Sequence, residues 1–363
     1  MVKNILILCG GKSVEHEVSI ISARNVLRSI DKHRFHPIVV LISRSGTWYL
    51  ASAEDGELEN VKECTDALST VRKLCTLLKK STLTELLCED GMAAKVDVVF
   101  PLVHGTVGED GSLQGMMEAL DLPYVGSPVL ASALGMDKTV SKVIFANCGI
   151  EVTAHISLGN KDKIPTYKEV CERFNSTTFF VKSSTMGSSV GVYKVRNEAE
   201  YLESVRKAFL YCPQVLVEKY VKGREIECAV LGNDNPKASI LGEIRPRHDF
   251  YSYEAKYLDP DGAELVVPAA IPEVVAKQCQ ELAIRAFKAI GAKGMARVDF
   301  FLTEDNKLIL NEINTIPGFT QISMYPILWQ HSGFSYEALI SRLIELALEE
   351  FSTKGEFITH ADI

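Results

Sequence analysis

The chain opens on an apolar run, Ile5-Leu6-Ile7-Leu8-Cys9, that stops at Gly10-Gly11. A run this short, closed by glycines, reads as a buried strand over residues 3–9. A loop through Lys12-Ser13 follows, then a helix over about residues 19–29 and a second apolar strand over 37–43. Strand, helix, strand in that order predicts a parallel α/β layer. Val98-Val99-Phe100-Pro101-Leu102-Val103 is a further buried strand, and the loop His104-Gly105-Thr106-Val107-Gly108-Glu109-Asp110-Gly111 follows it. Ligands of open α/β sheets gather beyond the carboxyl ends of strands. The Gly10 loop and the His104 loop both fall there. Residues 51–95 are polar, read as helical in parts, and carry no recognisable chemistry.

A helix over about 136–148 carries the chain out of this first layer. Strands are then predicted over 178–182, 192–195, 215–220 and 226–231, with a small-residue loop at 183–191 and a turn at Gly223-Arg224-Glu225. Residues 245–265 are rich in Arg, His, Tyr and Asp between two elements, which suggests a functional loop or lid. The last helix, over 335–351, has an apolar stripe at Leu339, Leu343 and Leu346 and is most simply structural.

Two strands near the C-terminus carry the most chemistry. Ala296-Arg297-Val298-Asp299-Phe300-Phe301-Leu302 and Leu308-Ile309-Leu310-Asn311-Glu312-Ile313-Asn314 flank the polar stretch Thr303-Glu304-Asp305-Asn306-Lys307, a hairpin pattern. Alternation puts Arg297 and Asp299 on one face and Glu312 and Asn314 on one face. A turn tip at Asp305-Asn306 sets Asp299 opposite Glu312 and Arg297 opposite Asn314. Facing carboxylates destabilise a sheet, so this face needs a cation. All-oxygen donors suit a hard ion such as magnesium, held by one or two carboxylates plus phosphates. The plain alternative is a solvated strand pair with unrelated charges.

Composition narrows the class. A length of 363 residues suggests two or three domains. A net charge of −8 and a pI near 5.6 disfavour nucleic acid as a main partner while leaving room for local phosphate sites. The nine cysteines (Cys9, Cys64, Cys75, Cys88, Cys148, Cys171, Cys212, Cys228, Cys279) are odd in number and include no Cys-x-x-Cys. Reduced thiols fit this better than a disulfide framework or a zinc site. The N-terminal run is too short for a signal peptide, and no stretch approaches the ~18 apolar residues of a membrane span. A soluble, cytoplasmic protein with no membrane partner is expected.

Several side chains are candidates with two readings each. The loop Ser183-Ser184-Thr185-Met186-Gly187-Ser188-Ser189-Val190-Gly191 is small enough to bring backbone N–H groups to an anion, or is a plain hairpin connection. It is not a Walker loop, and no Gly-x-Gly-x-x-Gly follows the first strand. Lys138, Lys182 and Lys256 could neutralise phosphates, although a lone lysine is usually solvated. Glu218-Lys219-Tyr220-Val221 could present backbone groups to a planar base, with Glu225 accepting from ribose hydroxyls, or is a charged strand end. Glu15 could bind an ammonium over the cleft, while Glu17 or Ser19 caps the helix. His104 is either a site residue or a satisfied loop histidine.

Taken together, these segments resemble the D-alanine–D-alanine ligases of the ATP-grasp superfamily. The resemblance runs through Gly10-Gly11-Lys12-Ser13-Val14-Glu15-His16-Glu17-Val18-Ser19, the segment 104–115, Met136-Asp137-Lys138 and Gly187-Ser188-Ser189-Val190-Gly191. It continues through Tyr253-Glu254-Ala255-Lys256-Tyr257, Ala296-Arg297-Val298-Asp299 and Asn311-Glu312-Ile313-Asn314-Thr315-Ile316-Pro317-Gly318, nearly the whole chain. It implies an α/β protein of three domains: an N-terminal parallel-sheet, substrate-binding domain (1–137) and a two-domain, α+β ATP-grasp part (138–221 and 222–363). The second ATP-grasp domain bears the metal site and the lid at 245–265.

The same resemblance implies the roles. ATP would lie between the two ATP-grasp sheets with its phosphates on Lys138, Lys182 and Lys256 and on the Ser188-Ser189 loop. The adenine would sit by Glu218, Lys219 and Val221, and the ribose on Glu225. Asn311 would belong to the nucleotide site. Asp299, Glu312 and Asn314 would hold two Mg2+ or Mn2+ ions. The γ-phosphate would activate a first D-alanine as an acylphosphate, which the amine of a second D-alanine attacks. Arg297 and the Gly318 N–H would stabilise the oxyanion, Glu15 would bind the first ammonium with His104 close by, and Ser323 with Lys256 would receive the second carboxylate. Glu15, Ser188 and Tyr257 would lock the lid, whose closure protects the acylphosphate from water. Tyr257 favours a dipeptide product over D-alanyl-D-lactate. Ser183-Ser184-Thr185-Met186 departs from many relatives, which carry a proline after the lysine and a charged residue before the glycine. Residues 51–95 are longer than in compact members. A homodimer serving peptidoglycan synthesis is expected. Rival readings are a D-lactate or D-serine ligase of the same fold and, from another class, a non-catalytic nucleotide-binding module.

Overall fold

The computed structural model describes residues 2–51, 73–81, 83–247 and 262–355. Among these described residues, three sheets are built from sixteen strands. The first has the order β6-β5-β4-β3-β2-β1-β7. Its parallel half is β1 (Lys3–Gly10), β2 (Phe35–Ile42) and β7 (Val98–Pro101), with β1 in the middle. All of Ile5, Leu6, Ile7 and Leu8 are fully buried, because helices cover both faces of a parallel strand. Helix α1 (His16–Ser29) crosses between β1 and β2.

The antiparallel half is β3 (Trp48–Ala51), β4 (Lys73–Lys80), β5 (Leu83–Cys88) and β6 (Ala93–Val96). Here the expectation of helix within 51–95 fails for the described part. Thr84, Leu86 and Cys88 alternate as buried positions along β5, a period of two that overrides the helical propensity of a Leu- and Lys-rich stretch.

The second sheet has the order β10-β9-β11-β8, from β8 (His155–Gly159), β9 (Phe179–Ser183), β10 (Val192–Val195) and β11 (Gln214–Lys219). Helices α5 (Tyr167–Phe174) and α6 (Glu198–Phe209) pack on it around Phe179, Tyr201 and Val205. The third sheet, β14-β13-β12-β15-β16, comprises β12 (Arg224–Gly232), β13 (Lys237–Pro246), β14 (Ala263–Val266), β15 (Gly294–Leu302) and β16 (Leu308–Asn314). Helices α2 (Ser112–Ala119), α3 (Val129–Met136) and α4 (Lys138–Asn147) connect the first sheet to the second, and α7 (Glu273–Ala289) covers the third. The last two, α8 (Met324–His331) and α9 (Tyr336–Lys354), fill a core shared by the first and third sheets, where Leu339, Leu343 and Leu346 are buried as the stripe predicts.

Several boundaries move for identifiable reasons. The expected helix over 136–148 begins at Lys138, because the Asp137 side chain accepts from Thr139 N (2.8 Å) and Val140 N (3.3 Å) as an N-cap. Helix α1 begins three residues before Ser19, and neither Ser19 nor Glu17 caps it. Ser19 Oγ accepts from Gly10 N (2.7 Å) and donates to Leu102 O (2.6 Å), pinning α1 across two strand ends, while Glu17 pairs with Arg44 at 2.5 Å. The ends of the expected 245–265 lid are paired strand, with Arg245 opposite Glu264 and Pro246 opposite Ala263. Residues 248–261 lie outside the described residues, and Lys256 and Tyr257 with them. The eight cysteines among the described residues are free thiols.

Candidate functional site

The C-terminal hairpin sets the frame. Arg297 pairs with Asn314 and Asp299 with Glu312, the register expected from the sequence. The reason differs from the one assumed. Leu302 pairs with Leu308 and Phe300 with Leu310, so the turn holds five residues, and a bulge between Asp299 and Phe300 restores the register. The extra residue is Asn311. Simple alternation would send it to the face opposite Glu312, but a bulge bends the strand and re-aims a side chain. Asn311 and Glu312 therefore line the same cleft.

The row of acids extends one strand further than the hairpin. Glu227 on β12 stands at the level of Asp299, which stands at the level of Glu312. Arg297 answers two of these carboxylates. It donates to both oxygens of Asp299 (2.8 and 2.7 Å) and lies 3.0 Å from Glu227. Lys138 lies 3.3 Å from Glu312, and Asn314 donates to Asp299 at 3.0 Å.

A first cleft of about 120 Å³ gathers Glu15, His104, Lys138, Ser188, Arg297, Glu312, Asn314, Gly318 and Ser323. Glu15 sits at the N-cap position of α1 but makes no capping bond with its side chain. Its carboxylate accepts a hydrogen bond from Ser188 Oγ. It reaches there because two glycines make room: a Cβ on Gly105 (φ +74°) would come within 2.7 Å of Glu15 Oε2, and one on Gly187 within 3.0 Å. Ser188 and Ser189 both have positive φ (51° and 60°), a cost of roughly 1–2 kcal/mol each that is tolerated chiefly at ligand sites.

His104 bridges Ser22 (Nε2 to Oγ, 3.0 Å) and the Ile316 carbonyl (Nδ1, 3.1 Å). Burial lowers its pKa, so the ring is neutral, with Nδ1 donating. Phe319 N donates to Ser22 Oγ at 3.1 Å and Asn25 donates to the Phe319 carbonyl at 3.1 Å. Helix α1 thus holds the 316–319 loop from the first sheet. Ser323 Oγ accepts from Thr320 N (2.9 Å) and lies 2.6 Å from where a Gly318 Cβ would be.

A second cleft of about 380 Å³ adjoins the first and shares Lys138, Gly187, Ser188 and Glu312 with it. Lys182, Ser189, Glu218, Lys219, Val221, Glu225 and Asn311 line it. Glu218 is not poised as a free acceptor for a base: its two oxygens pair with Lys142 (3.0 Å) and Lys182 (2.6 Å). Burial pushes this carboxyl up, but the two lysines outweigh burial and hold it down at about 2. Lys182, raised by Glu218 against the effect of burial, is fully charged and also lies 3.4 Å from Asn311 Oδ1.

Asp299 lines neither cleft directly; it stands behind Arg297 and Asn314. Among the described residues no cluster of three or more His, Cys, Asp or Glu could hold a metal. The hairpin offers two carboxylates and an amide, which fits a magnesium ion completed by phosphate oxygens and water rather than a closed protein cage. A carboxylate has about four acceptor sites, so Asp299 can serve Arg297 and a cation together.

Sequence reasoning missed Lys142, Glu227, Glu109 and Ser22. A lysine in mid-helix reads as solvated, and only the packing of α4 between β11 and β16 buries it to 1% exposure. Glu227 shares a strand face with Glu225, the one signal available.

The family model described as "D-ala D-ala ligase N-terminus" matches residues 4–127, and the one described as "D-ala D-ala ligase C-terminus" matches residues 144–345. This chain belongs to the D-alanine–D-alanine ligase family. It is 46% identical over 349 residues to the D-alanine–D-alanine ligase of Shouchella clausii, covering 96% of this chain and 95% of that one. It is 48% identical over 357 residues to D-alanine–D-alanine ligase A of Escherichia coli K12, covering 97% and 98%. The solved D-alanine–D-alanine ligase of Coxiella burnetii superposes with a TM-score of 0.83 at 38% identity, over 98% of this chain and 97% of that one. A D-Ala:D-Ser ligase of Enterococcus faecalis superposes with a TM-score of 0.84 at 33% identity, over 96% and 100%. The ATP-grasp architecture of the family is the architecture seen here. No helix among the described residues is long and apolar enough to cross a membrane.

Proposed function

We propose that this chain is an ATP-dependent ligase that joins two D-alanines into D-alanyl-D-alanine for peptidoglycan precursors. The observation that carries the reading is the junction of the two clefts. Lys138, Ser188 and Glu312 belong to both, so a phosphoryl group leaving the lysine-rich side arrives beside the side holding Glu15 and Arg297. The division of labour is three domains (1–137, 138–221 and 222–363), with ATP between the latter two.

A carboxylate is a poor acyl donor, so the γ-phosphate of ATP converts the first D-alanine into an acylphosphate. Phosphoryl transfer needs positioning and charge neutralisation more than a protein nucleophile. Lys138, Lys182 and Lys256 neutralise the phosphates, while the backbone turned by Ser188 and Ser189 approaches them. Lys219, Val221 and Glu225 hold the nucleoside. Glu218 acts mainly by fixing Lys182. Asp299, Glu312 and Asn314 would hold two divalent ions, Mg2+ or Mn2+, which supply charge neutralisation of the phosphates when bound. Glu15 receives the first ammonium, and Arg297 with the Gly318 N–H stabilises the oxyanion when the second amine attacks. Ser323 and Lys256 orient the second carboxylate, and Tyr257 closes the lid onto Ser188 and Glu15. The reading includes a cytoplasmic homodimer.

The test is phosphate release from ATP with D-alanine alone, then with D-lactate or D-serine added, and identification of the products. D-alanine-dependent phosphate release with D-alanyl-D-alanine as the product is expected. Absence of that dependence refutes the reading, and a dominant mixed product transfers the chain to a D-lactate or D-serine ligase.

A further inference from the structure

Glu109, an acid of the amino-acid cleft, has no role in the mechanism above. Glu109, in the loop after β7, lines the same cleft as Glu15. Both carboxylates are disposed around Gly105: Glu109 Oε1 accepts from the Gly105 N–H at 2.9 Å, and Glu15 Oε2 lies 2.7 Å from the place of a Gly105 Cβ. Glu109 also faces the Ile316 N–H, on the loop that leads to Gly318. Among the charged groups acting on it are Glu15, from the start of α1, and Arg297, from β15, and Lys138, Glu227 and Glu312 line the same cleft. His104, on its own loop, is neutral.

Two acids in one enclosed site do not both ionise readily. Arg297 offsets this only in part, because its guanidinium is also held by Asp299 and Glu227. We propose that Glu109 is a second carboxylate of the amino-acid pocket, which meets the ammonium group docked on Glu15 and releases a proton as it does so. The assignment rests on the function proposed above. Its geometric basis is the shared Gly105 corner, where an ammonium with three donors has an acceptor on each side. Burial, then the charge of Glu15, pushes the Glu109 carboxyl up to about 8, so near neutrality Glu109 carries a proton. Arrival of the ammonium cancels the repulsion. The O–H bond of Glu109 breaks, its proton passes to solvent, and the ammonium keeps all three of its protons.

Linkage makes this measurable. If binding expels a proton, D-alanine affinity rises with pH, approaching tenfold per unit below about pH 8 and levelling above it. Calorimetry of D-alanine binding to the whole enzyme, with magnesium and a non-hydrolysable ATP analogue, in two buffers of different ionisation heat counts the protons released. The wild type is expected to release most of one proton near pH 7, and Glu109→Gln to bind D-alanine with no release and a flat pH profile. Affinity that is flat from pH 6 to 8 in the wild type, or undiminished release in Glu109→Gln, overturns the proposal. If Glu109→Gln does not fold, the wild-type profile alone decides. Normal D-alanine-dependent phosphate release with pH-independent binding sinks only this assignment, whereas absence of D-alanine-dependent phosphate release sinks the function proposed above.

Discussion

Against the four-stranded sheet two lysines share one carboxylate; on the five-stranded sheet one guanidinium serves two carboxylates. Lys142 and Lys182 converge on Glu218, and the Lys142 ammonium also donates to the Asn311 carbonyl at 3.2 Å. Arg297 sits between Glu227 and Asp299, with Glu312 next in the row. Each cluster is nearly closed to water and each is out of balance, the first toward positive charge and the second toward negative. Buried charge is costly unless compensated. The imbalance is what a nucleotide with divalent cations would correct, phosphates on one side and metal on the other. Neither cluster alone indicates this. A single ion pair is weak evidence of function, but adjoining clusters of opposite sign around one cleft are specific.

Breaking the negative cluster should cost most. Arg297→Met leaves Glu227 and Asp299 without their shared partner, and loss of one member of a buried pair costs about 3–5 kcal/mol. Chemical denaturation should show that loss, together with near-complete loss of ligase turnover. Asp299→Asn removes charge without removing shape. Turnover is expected to fall roughly 10²–10³-fold, the scale for losing one preorganised electrostatic contact, with the folded circular dichroism spectrum retained. Near-normal turnover would mean that Asp299 has no part in metal binding.

On the positive side the effects are smaller, because each charge there has a second partner. Lys142→Met leaves the Lys182–Glu218 pair in place. It should raise KM for ATP about tenfold, equivalent to 1.4 kcal/mol, while KM for D-alanine stays constant. A rise in both would place Lys142 in general packing. The gentlest probe is acid. Glu218 titrates at about 2 in the fold against an ordinary value of 4.5. Its stabilising contribution is therefore complete above pH 4.5 and is lost as the pH falls toward 2. Glu218→Gln should flatten the pH dependence of stability in that window, read from urea midpoints at successive pH values; an unchanged slope would assign acid sensitivity to other carboxylates.

How far the sequence alone reached differs between the two clusters. The negative one was largely legible, since Arg297, Asp299, Glu312 and Asn314 lie on two strands joined by a short turn, and alternation places them on one face. Even there the register held through a feature that pattern alone does not reveal, a bulge at Asn311 that offsets the five-residue turn. The positive cluster was legible only as isolated lysines and a charged strand end. Its members come from α4, β9 and β11, and their meeting depends on how those elements stack. The described part of residues 51–95 shows the same boundary from the other side, where composition suggested helix and sheet pairing gave strands.

What the sequence by itself determined is the order of elements, the hairpin face and the family, because these depend on local period and on motifs that keep their spacing. What only the tertiary structure decided is which charges are buried together. Glu227 joins the acidic row because β12 pairs with β15 across some seventy residues of chain, Lys142 loses its water because α4 packs over β16, and Glu109 meets Glu15 at one glycine corner. Burial and non-local pairing set the electrostatics of a site, and neither is written in the identity of a residue or of its neighbours in the chain.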